Sequence, residues 1–375
     1  MIRLLRSYCV FSALALLACS SGSRGKPEPN MLRNPSAPPS QTLYVSGYGS
    51  EIQVFAFDAQ TGSLTPQSGV SGGISPSYLA FAPDRRHAYA VNEAEGDDSK
   101  VLAFSIAQPS GELTQLDAEA TGGSGAPHLA VHPSGKWLAI AHYGSGHTSI
   151  LPTKADGRLG EVVASNRGPN DDAEKAHQVV FDRSGKYLFV PCLGSDYVIQ
   201  YKFDAGQLSY NDPPTVAVAG GPRHLAFDPA ENYAYVLSEH DSTITSFKYD
   251  AASGKLSDPE TIPSFERVKG ASAHIVVHPS GKWLYVSNRA ENSIGRFSID
   301  GRGRPHPVDF ETDMIATPRD FSLDPTGVWL ISANQTGAEN VLVFRIDPDG
   351  GRLTRTTVAA VGGQPTFTQA LLLSP

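Results

Sequence analysis

The stretch HIVVHPSGKWLYVSN, residues 274–288, decides the fold. Two short apolar runs flank Pro279-Ser280-Gly281-Lys282, whose residue types make a tight turn, so the stretch predicts a β-hairpin. Its centre, VHPSGKW, occurs at residues 131–137 and again at 277–283. Weaker copies read AFAPDRR, VFDRSGK, AFDPAEN and SLDPTGV. With the turn proline as a ruler, Pro83, Pro133, Arg183 in a proline's place, Pro229, Pro279, Pro325 and Pro375 stand 46 or 50 residues apart. After each hairpin comes a third apolar run, as in SIGRFSID at 293–300, and then a looser fourth. Four short strands repeated at this period predict an all-β propeller of four-stranded blades.

The chain ends complete the ring. TLYVSGYG, from Thr42, is second-strand sequence without a first strand, and QALLLSP at the C-terminus is a first strand without the rest. Paired in one blade, they close a seven-bladed ring and leave no open sheet edge. Phe104, Tyr201, Phe247, Phe297 and Phe344 recur in the third strands and are expected to pack between blades. The lone Cys192 is expected to be a small buried apolar group.

Composition narrows the function. Thirty-six glycines and 28 prolines suit a turn-rich chain, and a net charge of −8 gives no reason to bind nucleic acid. Arg3 and Arg6 precede an apolar run too short to span a bilayer, which marks residues 1–18 as a signal peptide. The run ends in Leu16-Leu17-Ala18-Cys19, which resembles a bacterial lipobox and implies a lipid on Cys19. Residues 19–41, rich in Ser and Pro, read as a disordered tether, and the propeller is expected over 42–375. Ser20 after the cysteine points to the periplasmic side of the outer membrane, with contact to the bilayer through the lipid alone. With Cys9 removed and Cys19 lipidated, no disulfide framework remains.

In a repeat protein, positions that vary from blade to blade at the channel are better site candidates than those all blades share. Two such columns meet at one end of the channel. Six residues before the turn proline stand Ser77, Pro127, His177, Arg223, Ala273, Arg319 and Gln369. At the start of the second-to-third loop stand Tyr48, Glu93, Tyr143, Leu193, Glu239, Arg289 and Gln335. His177, Arg223, Glu239, Arg289 and Arg319 form an arc in which guanidinia can hold an anion or an oxyanion. A histidine or carboxylate there can move a proton. His142 and Tyr143 are secondary candidates. The column that holds His128, His224 and His274 reads mainly as interblade structure, and His132 and His278 as scaffold at the far end. Asn92, Asn288 and Asn334 read as loop caps. The guanidinia argue against a metal, and no cofactor is expected.

GPRHLAFDP with YVLSE, LYVSNRAENSI and TPRDFSLDP resemble the seven-bladed β-propeller lactonases, a family of 6-phosphogluconolactonases and carboxymuconate cycloisomerases. The resemblance spans residues 42–375. It implies a lactone hydrolase acting on a small lactone or acidic sugar derivative, with a catalytic set of His177, Arg223, Glu239 and Arg289. One of His177 or Glu239 would act as general base. Arg223 with Arg289 would bind the acidic group of the substrate and the oxyanion; apart from the resemblance, position at the mouth makes Arg319, His224, His142, Tyr143, Glu93 and Gln335 the candidate substrate-binding residues. Ser238 and His142 stand where the family often has asparagine. A non-catalytic envelope propeller and a cycloisomerase are the alternative readings, and an address outside the cytoplasm argues against 6-phosphogluconolactone itself as substrate.

Overall fold

A computed structural model describes residues 41–169 and 174–374 of the chain. The signal peptide, Cys19 and the tether up to residue 40 lie outside the described residues. Seven four-stranded antiparallel sheets make the propeller. Six are continuous in sequence, over residues 76–120, 128–167, 180–217, 222–263, 272–311 and 318–359. The seventh joins Pro365–Leu372 to three strands from the chain start, Gln41–Gly47, Glu51–Asp58 and Ser63–Ser71.

Closure follows the expected pairing, with Tyr44 opposite Gln369 and Val45 opposite Thr368. The propeller begins one residue earlier than the sequence suggested. Gln41 pairs with both Phe57 and Leu372, and its buried side-chain amide donates to Asp324 at 2.8 Å. That bond ties the closing blade to its neighbour, since Asp324 also accepts from the turn backbone at Thr326, Val328 and Trp329.

Each hairpin turn needs one residue with positive φ. Gly135, Gly185, Gly281 and Gly327 supply it at 70, 71, 69 and 73°, and Arg85 and Glu231 adopt it at 57 and 53° in the copies without glycine. The core is divided between blades. Phe104, for example, packs with Tyr44, Ile52 and Val54 of the closing blade, and Phe297 with Tyr235 and Leu237 of the preceding blade. Tyr201, Phe247 and Phe344 do the same at their own boundaries. At the ring closure Trp329 is 1% exposed among Leu43, Phe55 and Phe57, and its indole N–H donates to the Ala59 carbonyl at 2.9 Å.

His132 and His278 are scaffold, each bonding through Nε2 to the next blade's hairpin, at the Gly185 and Gly327 carbonyls. Cys192 is fully buried, and burial drives its thiol well above the ordinary range, as suits an inert apolar group. These contacts fix the blades' inner strands around the channel, and the channel's two ends differ in chemistry.

Candidate active site at one mouth of the channel

The first strand of each blade starts at this mouth, and the second strand ends beside it. The pleat then decides what each side chain does. The last residue of the second strand turns into the blade and caps the preceding loop. Asn92, Asn288 and Asn334 donate to the carbonyls of Ile74, Ser264 and Met314, and Ser238 to that of Ala219. The next residue is at the mouth.

That alternation corrects one expectation. His142 ends the strand Trp137–His142, is fully buried, stacks on His147 and bonds Ser149 at 2.9 Å. Burial, then His147 beside it, lowers its pKa to about 3. It is a loop-supporting group rather than part of the mouth. Tyr143, one residue on, lies against His177 with ring centroids 5.9 Å apart, under the ammonium of Lys175.

A second correction concerns the closing blade. Its first strand runs from Pro365, ten residues before Pro375, whereas Pro318 stands seven before Pro325. The proline ruler therefore slips by three, and Thr366, not Gln369, takes the column position beside Ser77 at the mouth. Gln369 instead borders the funnel at the opposite end.

The arc assembles as three guanidinia around two carboxylates. Arg223, only 2% exposed, points Nε at Glu239 Oε2 at 2.9 Å and donates through Nη1 to the Ala273 carbonyl of the next blade. Arg289 Nη2 meets the other oxygen, Glu239 Oε1, at 3.0 Å, and its Nε donates to the Ala271 carbonyl. Arg319 lies over the Tyr48 ring and reaches Glu93 Oε1 only at 3.7 Å; the Tyr48 hydroxyl donates to the same oxygen. Ser77, Glu93, Pro127, His177, Arg223, Arg319 and Thr366 line one small cavity there. Gln335 occupies the equivalent loop position after Asn334, half-buried, with its N–H on the Thr317 carbonyl.

Electrostatics set the protonation states. Burial opposes charge on Glu239, but Arg223 and Arg289 overcome it and hold the carboxyl below its ordinary value. Burial, with Arg319 and Arg289 nearby, brings Arg223 down to about 9. His177 is pushed well below the ordinary imidazole value by burial and then by Arg223, Arg319 and Arg289. At neutral pH Glu239 is therefore a carboxylate and His177 a neutral imidazole, beside the guanidinia of Arg223 and Arg289. Guanidinia so placed are groups that can hold an anion.

Beneath the mouth, aromatic and imidazole rings plug the channel. His224 contacts His177, His128 and His274, with centroids 5.3, 5.8 and 5.0 Å away, and Tyr78 lies 4.0 Å from His128. His224 is 4% exposed and hydrogen-bonded on both ring nitrogens, so it stands behind Arg223. Two participants stand at column positions without having been singled out there: Tyr48, which carries Arg319, and Asp320, which sits among the histidines.

Fold and site together define a propeller with an arginine-lined pocket at one mouth of its channel. The family described as Lactonase, 7-bladed beta-propeller matches residues 42–370, and the chain belongs to that family of lactone (carboxylic ester) hydrolases. It is similar to the 6-phosphogluconolactonase of Pectobacterium carotovorum, 32% identical over 89% of this chain and 99% of that protein. A 6-phosphogluconolactonase of Bacillus subtilis is 29% identical over 83% and 91%. Among solved structures, the periplasmic gluconolactonase PpgL of Pseudomonas aeruginosa superposes with a TM-score of 0.81 at 28% identity, covering 89% of this chain and all of that one.

Proposed function

We propose that this protein hydrolyses a sugar-type lactone bearing an acidic group, with His177 as general base and the guanidinia of Arg223, Arg289 and Arg319 as anion and oxyanion binders. The observation that carries the reading is the division of labour between Glu239 and His177. Both Glu239 oxygens are engaged by Arg223 and Arg289, so this carboxylate orients the two guanidinia. His177 is neutral and lines the cavity, and its buried Nδ1 has no hydrogen-bond partner. A neutral imidazole keeps a lone pair on one ring nitrogen, the acceptor that a general base needs.

In the reaction, His177 takes a proton from water as the water oxygen bonds to the lactone carbonyl carbon. The carbonyl electron pair moves to oxygen, and a guanidinium stabilises the oxyanion. When the oxyanion collapses, the ring C–O bond breaks, and the departing ring oxygen takes back the proton from His177, giving the open hydroxy acid. Arg319, with the longest ion-pair contact of the three, has donors to offer the acidic group of the substrate. Binding that anion relieves the repulsion on His177 and raises its basicity in the complex.

Location is part of the proposal. The lipobox at Cys19 and the likeness to a periplasmic gluconolactonase support a lipid-anchored protein on the periplasmic side of the envelope, at the outer membrane. A sugar lactone formed outside the cytoplasm is then the substrate class, ahead of a cytoplasmic phosphosugar. The test is turnover of anionic and neutral lactones by the parent protein and by His177→Ala. Hydrolysis that survives the substitution would remove His177 from the reaction. A product with a new ring in place of a hydroxy acid would favour the cycloisomerase.

A further inference from the structure

The second-to-third loops bring two carboxyl groups to the mouth, and they differ in what holds them. Glu239 is engaged on both oxygens, by Arg223 at 2.9 Å and by Arg289 at 3.0 Å. Glu93 stands at the same loop position in the blade over residues 76–120, fixed by its N–H on the Ser75 carbonyl at 3.0 Å. Its Oε1 accepts one hydrogen bond, from the Tyr48 hydroxyl at 3.3 Å, and its buried Oε2 has no partner. A carboxylate offers about four acceptor sites. Arg319 is open in the complementary sense. Arg223 and Arg289 each donate to a backbone carbonyl, whereas Arg319 makes no hydrogen bond among the described residues and is carried on the Tyr48 ring. The side chains of Glu93 and Arg319 are nevertheless only 21% and 14% exposed. Polar groups so far withdrawn from water are as a rule hydrogen-bonded, and their open sites call for a partner from outside the fold.

The spacing says what that partner is. Arg319 Nη2 and Glu93 Oε1 stand 3.7 Å apart, too far for a direct hydrogen bond. A third atom, about 2.8 Å from each, closes the triangle. It must donate to the carboxyl oxygen and accept from the guanidinium, and a hydroxyl does both. A cation could serve Glu93 but would meet the charges of Arg319 and Arg223 in the same cavity. We infer that Glu93 and Arg319 read a hydroxyl group of the substrate, which donates to Glu93 Oε1 and accepts from Arg319 Nη2. Ser77 adds to this wall: it is 3% exposed, lines the same cavity, and its own hydroxyl has no partner, so a second substrate hydroxyl has a place there. Arg319 keeps further N–H donors for an acidic group, which puts hydroxyl and acid side by side on the substrate. The pair makes the site selective for a polyhydroxylated lactone over an unsubstituted one, because an analogue without the hydroxyl leaves withdrawn polar groups unpaired.

This specificity rests on the lactonase reading, and its test has one arm that needs no turnover. Glucono-δ-lactone and δ-valerolactone share a six-membered ester ring without charge and differ in their hydroxyl-bearing substituents. With the uncatalysed rates subtracted, the parent should favour the first by ~10²-fold or more in kcat/KM. Glu93→Ala, shown to be folded, should cut that ratio by ~10-fold or more, the scale of one hydrogen bond to a charged group. Glu93→Gln keeps an acceptor oxygen and should fall between the two. A role confined to holding Arg319 or the loop would lower both rates alike and leave the ratio unmoved. The second arm is an NMR titration with gluconate and hexanoate, six-carbon monoanions with and without hydroxyls. The parent should bind gluconate more tightly, and Glu93→Ala should erase the difference. Lactone opening with an unchanged ratio in Glu93→Ala would overturn the inference, mark the bridge as one filled by water alone, and leave the lactonase reading standing. Glu93-dependent gluconate binding without any turnover would keep the subsite and remove the reaction. Equal affinities for the two acids in a parent that opens neither lactone would overturn both.

Discussion

Asp320→Asn is expected to change how stability depends on pH more than stability at any single pH. The folded carboxyl titrates near 8 against an ordinary 3.8, so between these values the folded chain binds a proton that the unfolded chain lacks. A raised pKa makes this group's contribution complete below about pH 4 and lost as pH rises through 8, at about 1.4 kcal/mol per pH unit. Between pH 5 and 7 the parent should therefore lose roughly 2.7 kcal/mol relative to Asp320→Asn. Buried neutral histidines such as His128, His177 and His224 slope the other way at the acidic end, because the unfolded chain protonates them first. Comparing the two proteins at each pH removes their contribution. Urea unfolding at pH 5, 6 and 7 supplies the measurement. A difference between the proteins that is constant within about 0.5 kcal/mol over that range would refute a protonated Asp320.

Three further outcomes are expected. Arg319→Gln removes a charge that depresses His177, so the acidic limb of kcat/KM moves to higher pH; an unmoved limb in pH-rate profiles would detach that limb from His177. Trp329→Ala opens the packing at ring closure and deletes the bond to Ala59, at a cost of about 3–5 kcal/mol in denaturant unfolding. A loss under about 1 kcal/mol would mean that closure does not depend on this side chain. Cys19→Ser should move the protein from the membrane fraction to the soluble one, and continued sedimentation with membranes would argue against lipid at this residue.

The period, the number of blades and the way the ends join were legible because every hairpin repeats the same turn chemistry, from Pro83 to Pro325. The arc was legible for a related reason: in a ring of equivalent blades, column position translates directly into place at the mouth. His177, Arg223, Glu239 and Arg289 converge accordingly. Two errors have local causes. His142 and Tyr143 are adjacent in sequence but lie on opposite sides of a pleat, so one braces a loop and the other borders the mouth. Gln369 was misplaced because the closing strand carries three extra residues before its proline, and the spacing of 50 concealed them. Asp320 stands five residues before Pro325, in the same column as His128, His224 and His274, and the reading of that column as interblade structure passed over it.

The central claim is that a neutral imidazole beside three guanidinia opens a lactone. The most direct test is kcat/KM for an anionic and a neutral sugar lactone with the parent, His177→Ala and Glu239→Gln, each shown to be folded. The account predicts parent turnover with a preference for the anionic lactone, and a loss of about 10²-fold or more on removing His177, the scale of general-base catalysis. Glu239→Gln should raise KM as well as lower kcat, because the guanidinia lose their common partner. Full activity without His177, or a parent that opens neither lactone, would contradict it.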